Sequence, residues 1–107
     1  MSEISLDPEL DIALEWVNNN TDSTNPYEKK IWADVVTSLS VYLQELLEGT
    51  YDEVKIRKIL KKLEEFGLVV FDEAERAFIA NAEKKPKEVV LRITPEGSRY
   101  FTRTRFG

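Results

Sequence analysis

The chain has neither cysteine nor histidine among its 107 residues. The first absence excludes disulfides and thiolate chemistry. The second removes the commonest general base and the commonest zinc ligand. Ser-His-Asp and Cys-His arrangements are out of reach, which argues against an enzyme. No cofactor and no metal are expected; Asp72, Glu73 and Glu75 stand close enough for a hard cation, but a charged turn accounts for them as well. The four glycines, Gly49, Gly67, Gly97 and Gly107, stand singly, so there is no glycine-rich loop to cradle a phosphate. No apolar run approaches the ~20 residues that cross a bilayer. The opening residues, Met-Ser-Glu-Ile-Ser, lack the basic and apolar pattern of a secretion signal. No membrane partner is expected, and the expected location is cytoplasmic.

What is present is a single domain's worth of chain with an ordinary apolar content of 42%. Its net charge of −5 is unevenly spread. Residues 1–53 hold two cations, Lys29 and Lys30, and twelve carboxylates, a net of −10. Residues 54–107 hold thirteen cations and eight carboxylates, a net of +5. Such asymmetry points to a nucleic-acid or membrane partner for the basic half, while the acidic half weakens any general attraction to DNA.

The clearest element is the stretch from Thr50 to Phe66. Ile56, Ile59, Leu60, Leu63 and Phe66 fall at helical spacing and form one apolar stripe. Thr50 with Glu53 reads as a capping box, and Gly67 as the left-handed residue that closes the helix. Lys55, Arg57, Lys58, Lys61 and Lys62 place five cations within eight residues on the remaining surface. Two readings compete: a solvated face built from good helix formers, or a basic face suited to a DNA major groove, whose width admits one helix.

A first helix is expected over 7–18, with Leu10, Ala13, Leu14 and Val17 as its stripe. Ile12 and Trp16 lie off that stripe, so the helix needs more than one neighbour, either within the chain or in a second subunit. Asn25 and Pro26 read as the cap and first residue of further helical sequence up to Glu48. Ser38 or Ser40 is a candidate break that would leave a short second helix before Gly49. After Gly67, segments 68–71, 76–81 and 88–93 have strand character. Thr94-Pro-Glu-Gly97 opens a last helix, with Thr94 as its N-cap.

Helix, glycine turn, basic helix, hairpin and closing helix together resemble the winged helix-turn-helix. Leu63-Glu-Glu-Phe-Gly-Leu68 and Ile93-Thr-Pro-Glu-Gly97 are similar to the closing phrases of MarR-type and PadR-type transcriptional regulators. The resemblance covers roughly residues 38–101. It implies an α+β, mostly helical fold, a winged helix-turn-helix with an N-terminal helix and a β-hairpin wing: helices over 26–66, the wing over 68–93 and a C-terminal helix over 94–104. It implies a small DNA-binding regulator of transcription that lays the 50–66 helix in the major groove of double-stranded DNA. Its DNA contacts would be Lys55, Arg57, Lys58, Lys61 and Lys62 on the helix, and Arg76, Lys84, Lys85 and Lys87 on the wing, with Arg99, Arg103 and Arg105 in second rank. A homodimer would follow from the two-fold symmetry of such sites. Its interface would join Leu10, Ile12, Leu14, Trp16 and Val17 to Tyr100, Phe101 and Phe106. The alternative is a protein–protein interaction module that docks through its acidic N-terminal half.

Overall fold

A computed structural model describes residues 7–21, 28–81 and 87–106, the last six as backbone. The elements run α1 (Pro8–Asn20), β1 (Lys29–Ile31), α2 (Trp32–Leu46), α3 (Glu53–Glu65), α4 (Glu73–Ala80), β2 (Glu88–Val90) and α5 (Pro95–Phe106). The fold is α+β and mostly helical, with one small antiparallel sheet. No described helix is long and apolar enough to cross a membrane.

The core lies where α1, α2 and α3 meet. Leu14, Leu39, Leu43, Ile56, Leu60 and Leu63 have no exposed surface. On α2 and α3 they recur at spacings of three, four or seven residues, and on α1 buried Leu10 and Val17 flank Leu14 at four and three, so one face of each is driven inward by removal of apolar area from water. Helix α1 runs close to its expected bounds. Its off-stripe Trp16 is buried as well, and the indole N–H donates to Ser38 Oγ of α2 at 3.2 Å. The second neighbour that α1 required is therefore α2 of the same chain.

Helix α2 is unbroken across Ser38 and Ser40. Both hydroxyls find partners other than the carbonyls of their own helix, which removes the reason to unwind it. Ser38 accepts from Trp16, and Ser40 donates to Tyr51 O at 2.5 Å. The three residues before α2 are a strand rather than helix: Lys29, Lys30 and Ile31 pair with Val90, Val89 and Glu88. Pairing with a distant segment overrides the local apolar spacing here, and Ile31 is left 55% exposed. The Asn25–Pro26 cap lies outside the described residues.

Helix α3 starts two residues later than the Thr50 cap requires. Tyr51 is buried, so the chain stays extended until its ring is in the core. Asp52 then takes the capping role, its carboxylate accepting from the Lys55 amide at 2.9 Å. The C-terminus is as expected. Gly67 has φ +75°, its N–H donates to Glu64 O at 2.8 Å, and the Leu68 N–H donates to Leu63 O at 3.0 Å. Those two bonds close the helix in a Schellman arrangement that needs the left-handed residue.

The hairpin expected over 68–93 is absent. Asp72 opens α4 instead, through a capping box in which Asp72 Oδ1 accepts from the Glu75 amide at 2.7 Å and Glu75 Oε1 accepts from the Asp72 amide at 2.9 Å. Phe78 and Ile79 are both buried. Glu75, Phe78 and Ile79 stand three and four residues apart and form the one buried face of the helix that this cap opens. Strand β2 pairs with β1, and beyond it Ile93 bridges Val69. The segment 88–94 thus runs between β1 and residues 68–70.

Glu75 ties α4 to this segment. It is buried, and its Oε2 accepts from the Val90 amide at 2.7 Å. Glu75→Gln leaves one acceptor oxygen where two amides need one each, and turns an NH2 group toward a donor. The expected loss is about 2–3 kcal/mol. It would be read as a lower urea midpoint at unchanged slope; an unchanged midpoint would show that the carboxylate does not hold β2 to α4.

The two phrases that carry the family resemblance meet in space. The Thr94 N–H donates to Leu68 O at 3.0 Å, and the Thr94 hydroxyl donates to Gly67 O. Thr94 Oγ1 also accepts from the Gly97 amide at 2.9 Å and so caps α5 as expected.

Candidate nucleic-acid interface

Helix α3 buries Ile56, Ile59, Leu60 and Leu63 and presents Val54, Lys55, Lys58, Lys61, Lys62 and Glu65 on its exposed side. Lys55 lies 5.2 Å from the centre of the Tyr51 ring, which steadies its stem beside the helix start. Lys58, Lys61 and Lys62 make no ion pair among the described residues. The carboxylates of α3 are largely drawn aside. Asp52 caps the helix, Glu53 pairs with Arg57, and Glu64 accepts from the Phe71 amide at 3.1 Å and from Arg76 at 3.0 Å. Only Glu65 stays exposed among the lysines. The outer face of α3 is therefore more positive than the composition of the helix implies.

Arg57 does not belong to that face. Its Nη2 lies 2.7 Å from Glu53 Oε2, and Nη1 donates to Phe78 O and, at 3.2 Å, to Ile79 O. The guanidinium sits 4.9 Å from the Trp32 ring centre and 4.6 Å from that of Phe78, and the side chain is 11% exposed. It caps the last carbonyls of α4 and fastens that helix to α3. The Glu53 carboxyl is held below the usual carboxylate range by the Arg57 guanidinium, an effect that burial opposes. The contact with DNA expected of Arg57 is corrected accordingly. The sequence carried the signal, since Glu53 and Arg57 stand four apart with the acid first.

Arg76 is likewise engaged. It lies on α4, not on a wing, and pairs with Glu64 while Nη2 donates to Phe71 O at 3.2 Å. Lys87 is exposed at the entry to β2, and its carbonyl accepts from the Trp32 amide at 2.8 Å. Lys84 and Lys85 lie outside the described residues, as do the side chains of Arg103 and Arg105. Arg99 pairs with Glu96 at 3.3 Å, both well exposed, which is worth little in water. Of the nine DNA contacts expected in first rank, the structure brings four lysines together, Lys55, Lys58, Lys61 and Lys62. Comparison with protein-family models, curated proteins and solved structures finds no match.

The expected dimer surface is mostly interior. Leu10, Leu14, Trp16 and Val17 are buried in the chain's own core, and Ile12 and Tyr100 pack partly against it. Leu10, Leu14, Trp16 and Val17 have almost no surface left for a partner, so the interface drawn on those four is corrected. The side chains of Phe101 and Phe106 lie outside the described residues. Tyr51 is held by the same α1: burial raises its phenol pKa above the ordinary value, and a hydrogen bond to Glu9 with that carboxylate's charge raises it further.

A cleft of about 150 Å³ between α3 and α4 is walled by Phe71, Ile79 and Ala80 with Lys61 and Arg76 among its rim. That is below the usual volume of a ligand pocket. Two wider, shallow clefts open among the described residues, one of about 400 Å³ beside Leu10, Lys62, Glu65 and Phe66 and one of about 350 Å³ beside Lys29, Lys30, Asp34 and Ser38. Among the described residues no three acidic groups come together to hold a metal, and Asp72 and Glu75 are committed to the α4 cap.

Proposed function

We propose that the protein binds double-stranded DNA through the outer face of α3, as a small regulator of transcription. The observation that carries this reading is the row of four exposed lysines on one side of a helix of whose carboxylates Glu53 and Glu64 are engaged in ion pairs and Glu65 alone stands among the lysines. Such a helix fits a major groove by width, and its lysines meet phosphates by charge. The winged-helix resemblance is supported by the contact between its two phrases at Leu68 and Thr94; α4 would then stand where a hairpin wing was expected. Two copies on a two-fold site would have to pair through a surface other than the buried stripe of α1.

The test is titration of a mixed-sequence 30-base-pair duplex by fluorescence anisotropy. Neutralising about four phosphates predicts that affinity falls roughly hundredfold between 50 and 200 mM salt. Lys58→Glu combined with Lys62→Glu is expected to abolish binding while leaving the helical circular dichroism unchanged. Absence of binding at low salt would remove the reading.

A second reading, a protein-interaction module, has one specific observation in its favour. Helices α1 and α2 contain no lysine or arginine, and Asp34 and Glu45 are exposed on α2. A basic partner docked there would leave activity intact when Lys58 and Lys62 are reversed.

A further inference from the structure

On the lysine face of α3 one exposed residue carries no charge. Val54 is 59% exposed in the first turn of the helix, the largest exposure among the large apolar side chains described. Lys58 stands four residues on and Lys61 seven, which puts all three on one stripe along the helix axis. The two acids that precede it are engaged: Asp52 in its own cap, at 2.9 Å from the Lys55 amide, and Glu53 with Arg57 at 2.7 Å. The first turn therefore ends in a branched apolar tip flanked by cations, with the two preceding negative charges engaged.

We propose that Val54 is a specificity-determining residue that reads thymine, its methyl groups seated against the C5-methyl of the base in the major groove. The inference rests on the DNA-binding reading of α3. The early residues of a groove-bound helix are those that reach base edges, whereas lysines further along meet phosphates. Of the base edges in the major groove, thymine alone offers a methyl group, and apolar side chains are its natural partners. A lysine stripe that fixes the helix by phosphate contact leaves Val54 at its tip as the residue placed to sense that methyl. Valine is otherwise poorly used here: it is a middling helix former, and its exposed surface contributes nothing to the core.

The experiment selects duplexes from a randomised 30-base-pair pool with the full chain, then compares wild type and Val54→Ser on the selected duplex and on the same duplex with single thymines replaced by deoxyuridine. That replacement removes one methyl group and no hydrogen-bonding atom. Wild type is expected to lose about threefold to fivefold in affinity at one thymine, the effect of one buried methyl group. Val54→Ser, whose fold is checked by circular dichroism, is expected to bind the two duplexes alike. Equal sensitivity of both proteins to the missing methyl, or none in either, overturns the assignment to Val54. Binding without any enrichment overturns it too, while leaving the DNA reading in place. No binding to any duplex at low salt overturns both, so the two failures are told apart.

Discussion

Gly97→Ala is expected to destabilise the protein by about 3 kcal/mol or more, although alanine is the better helix former by about 1 kcal/mol at an open position. A Cβ built at residue 97 would lie 2.1 Å from Leu68 O and 2.8 Å from Ile93 Cγ1. The nearer atom is backbone and has little room to move. Leu68 O accepts from the Thr94 amide, the Leu68 N–H closes α3 on Leu63, and the Leu68 side chain is fully buried. Relief thus means lifting α5 off residues 67–69 and losing both Thr94 bonds. For a domain of this size the midpoint of thermal unfolding should drop by more than about 10 °C. Gly67→Ala is the control. Its φ of +75° imposes strain, but nothing lies within 4 Å of a Cβ there. That change should cost about 1–2 kcal/mol. If Gly97→Ala proved as stable as wild type, or milder than Gly67→Ala, the close approach of α5 to Leu68 would be wrong.

The second large effect belongs to Arg57. Arg57→Ala removes a guanidinium that is nearly buried and joined to Glu53, Phe78 O and Ile79 O. What remains is a carboxylate without its cation, an Ile79 carbonyl without its donor, a Phe78 carbonyl held by the Asn81 amide alone, and a gap beside Trp32 and Phe78, whose rings meet edge to face at 5.4 Å. Glu53 is 47% exposed and returns to water, so the loss comes from the packed guanidinium and its carbonyl bonds, about 2–3 kcal/mol, still above the value of an exposed pair. Arg57→Lys should recover little, because an ammonium cannot bond a carboxylate and two carbonyls at once while stacking on two rings. Thermal unfolding measures the loss. Binding of the folded variant to duplex DNA at low salt separates this role from a groove contact. An Arg57→Ala protein as stable as wild type but deficient in DNA binding would return Arg57 to the interface.

Much of this arrangement was legible in the chain. The stripes of α1 and α3, the left-handed Gly67 and the Thr94 cap follow from local rules that tertiary packing happens to obey. The failures have identifiable causes. Thr50 lost the capping role because Tyr51, one residue later, had to reach the core before the helix could start. Residues 29–31 left the helix because Val89 and Val90, some sixty positions away, offered a strand to pair with. The wing gives way to α4 because Asp72 and Glu75 cap a helix whose buried residues, Glu75, Phe78 and Ile79, stand three and four apart. At the candidate site the exposure of Lys55, Lys58, Lys61 and Lys62 follows from the spacing of the buried stripe, whereas the engagement of Arg57 and Arg76 does not. Arg57 and Arg76 each had an acid within reach, Glu53 in sequence and Glu64 only in space. The acid four residues away could have been counted, whereas the pair spanning α3 and α4 needed the fold.

The order of pairing in the small sheet also governs how the chain can be completed as it is made. Residues 88–94 run between β1 and residues 68–70, so the central segment is synthesised last. Until it emerges, β1 has no partner, Leu68 O has no donor from Thr94, and the Glu75 carboxylate has no amide to bind. The three N-terminal helices can meet earlier, since their contacts close over short stretches of chain, but they do so with an open slot beside α4. Closing that slot links segments far apart in sequence, the slow kind of step in folding. A chain stopped short of Thr94 would be a helical cluster with its seam unfastened. The last quarter of the sequence therefore acts as the clasp that turns a collapsed bundle into one definite structure.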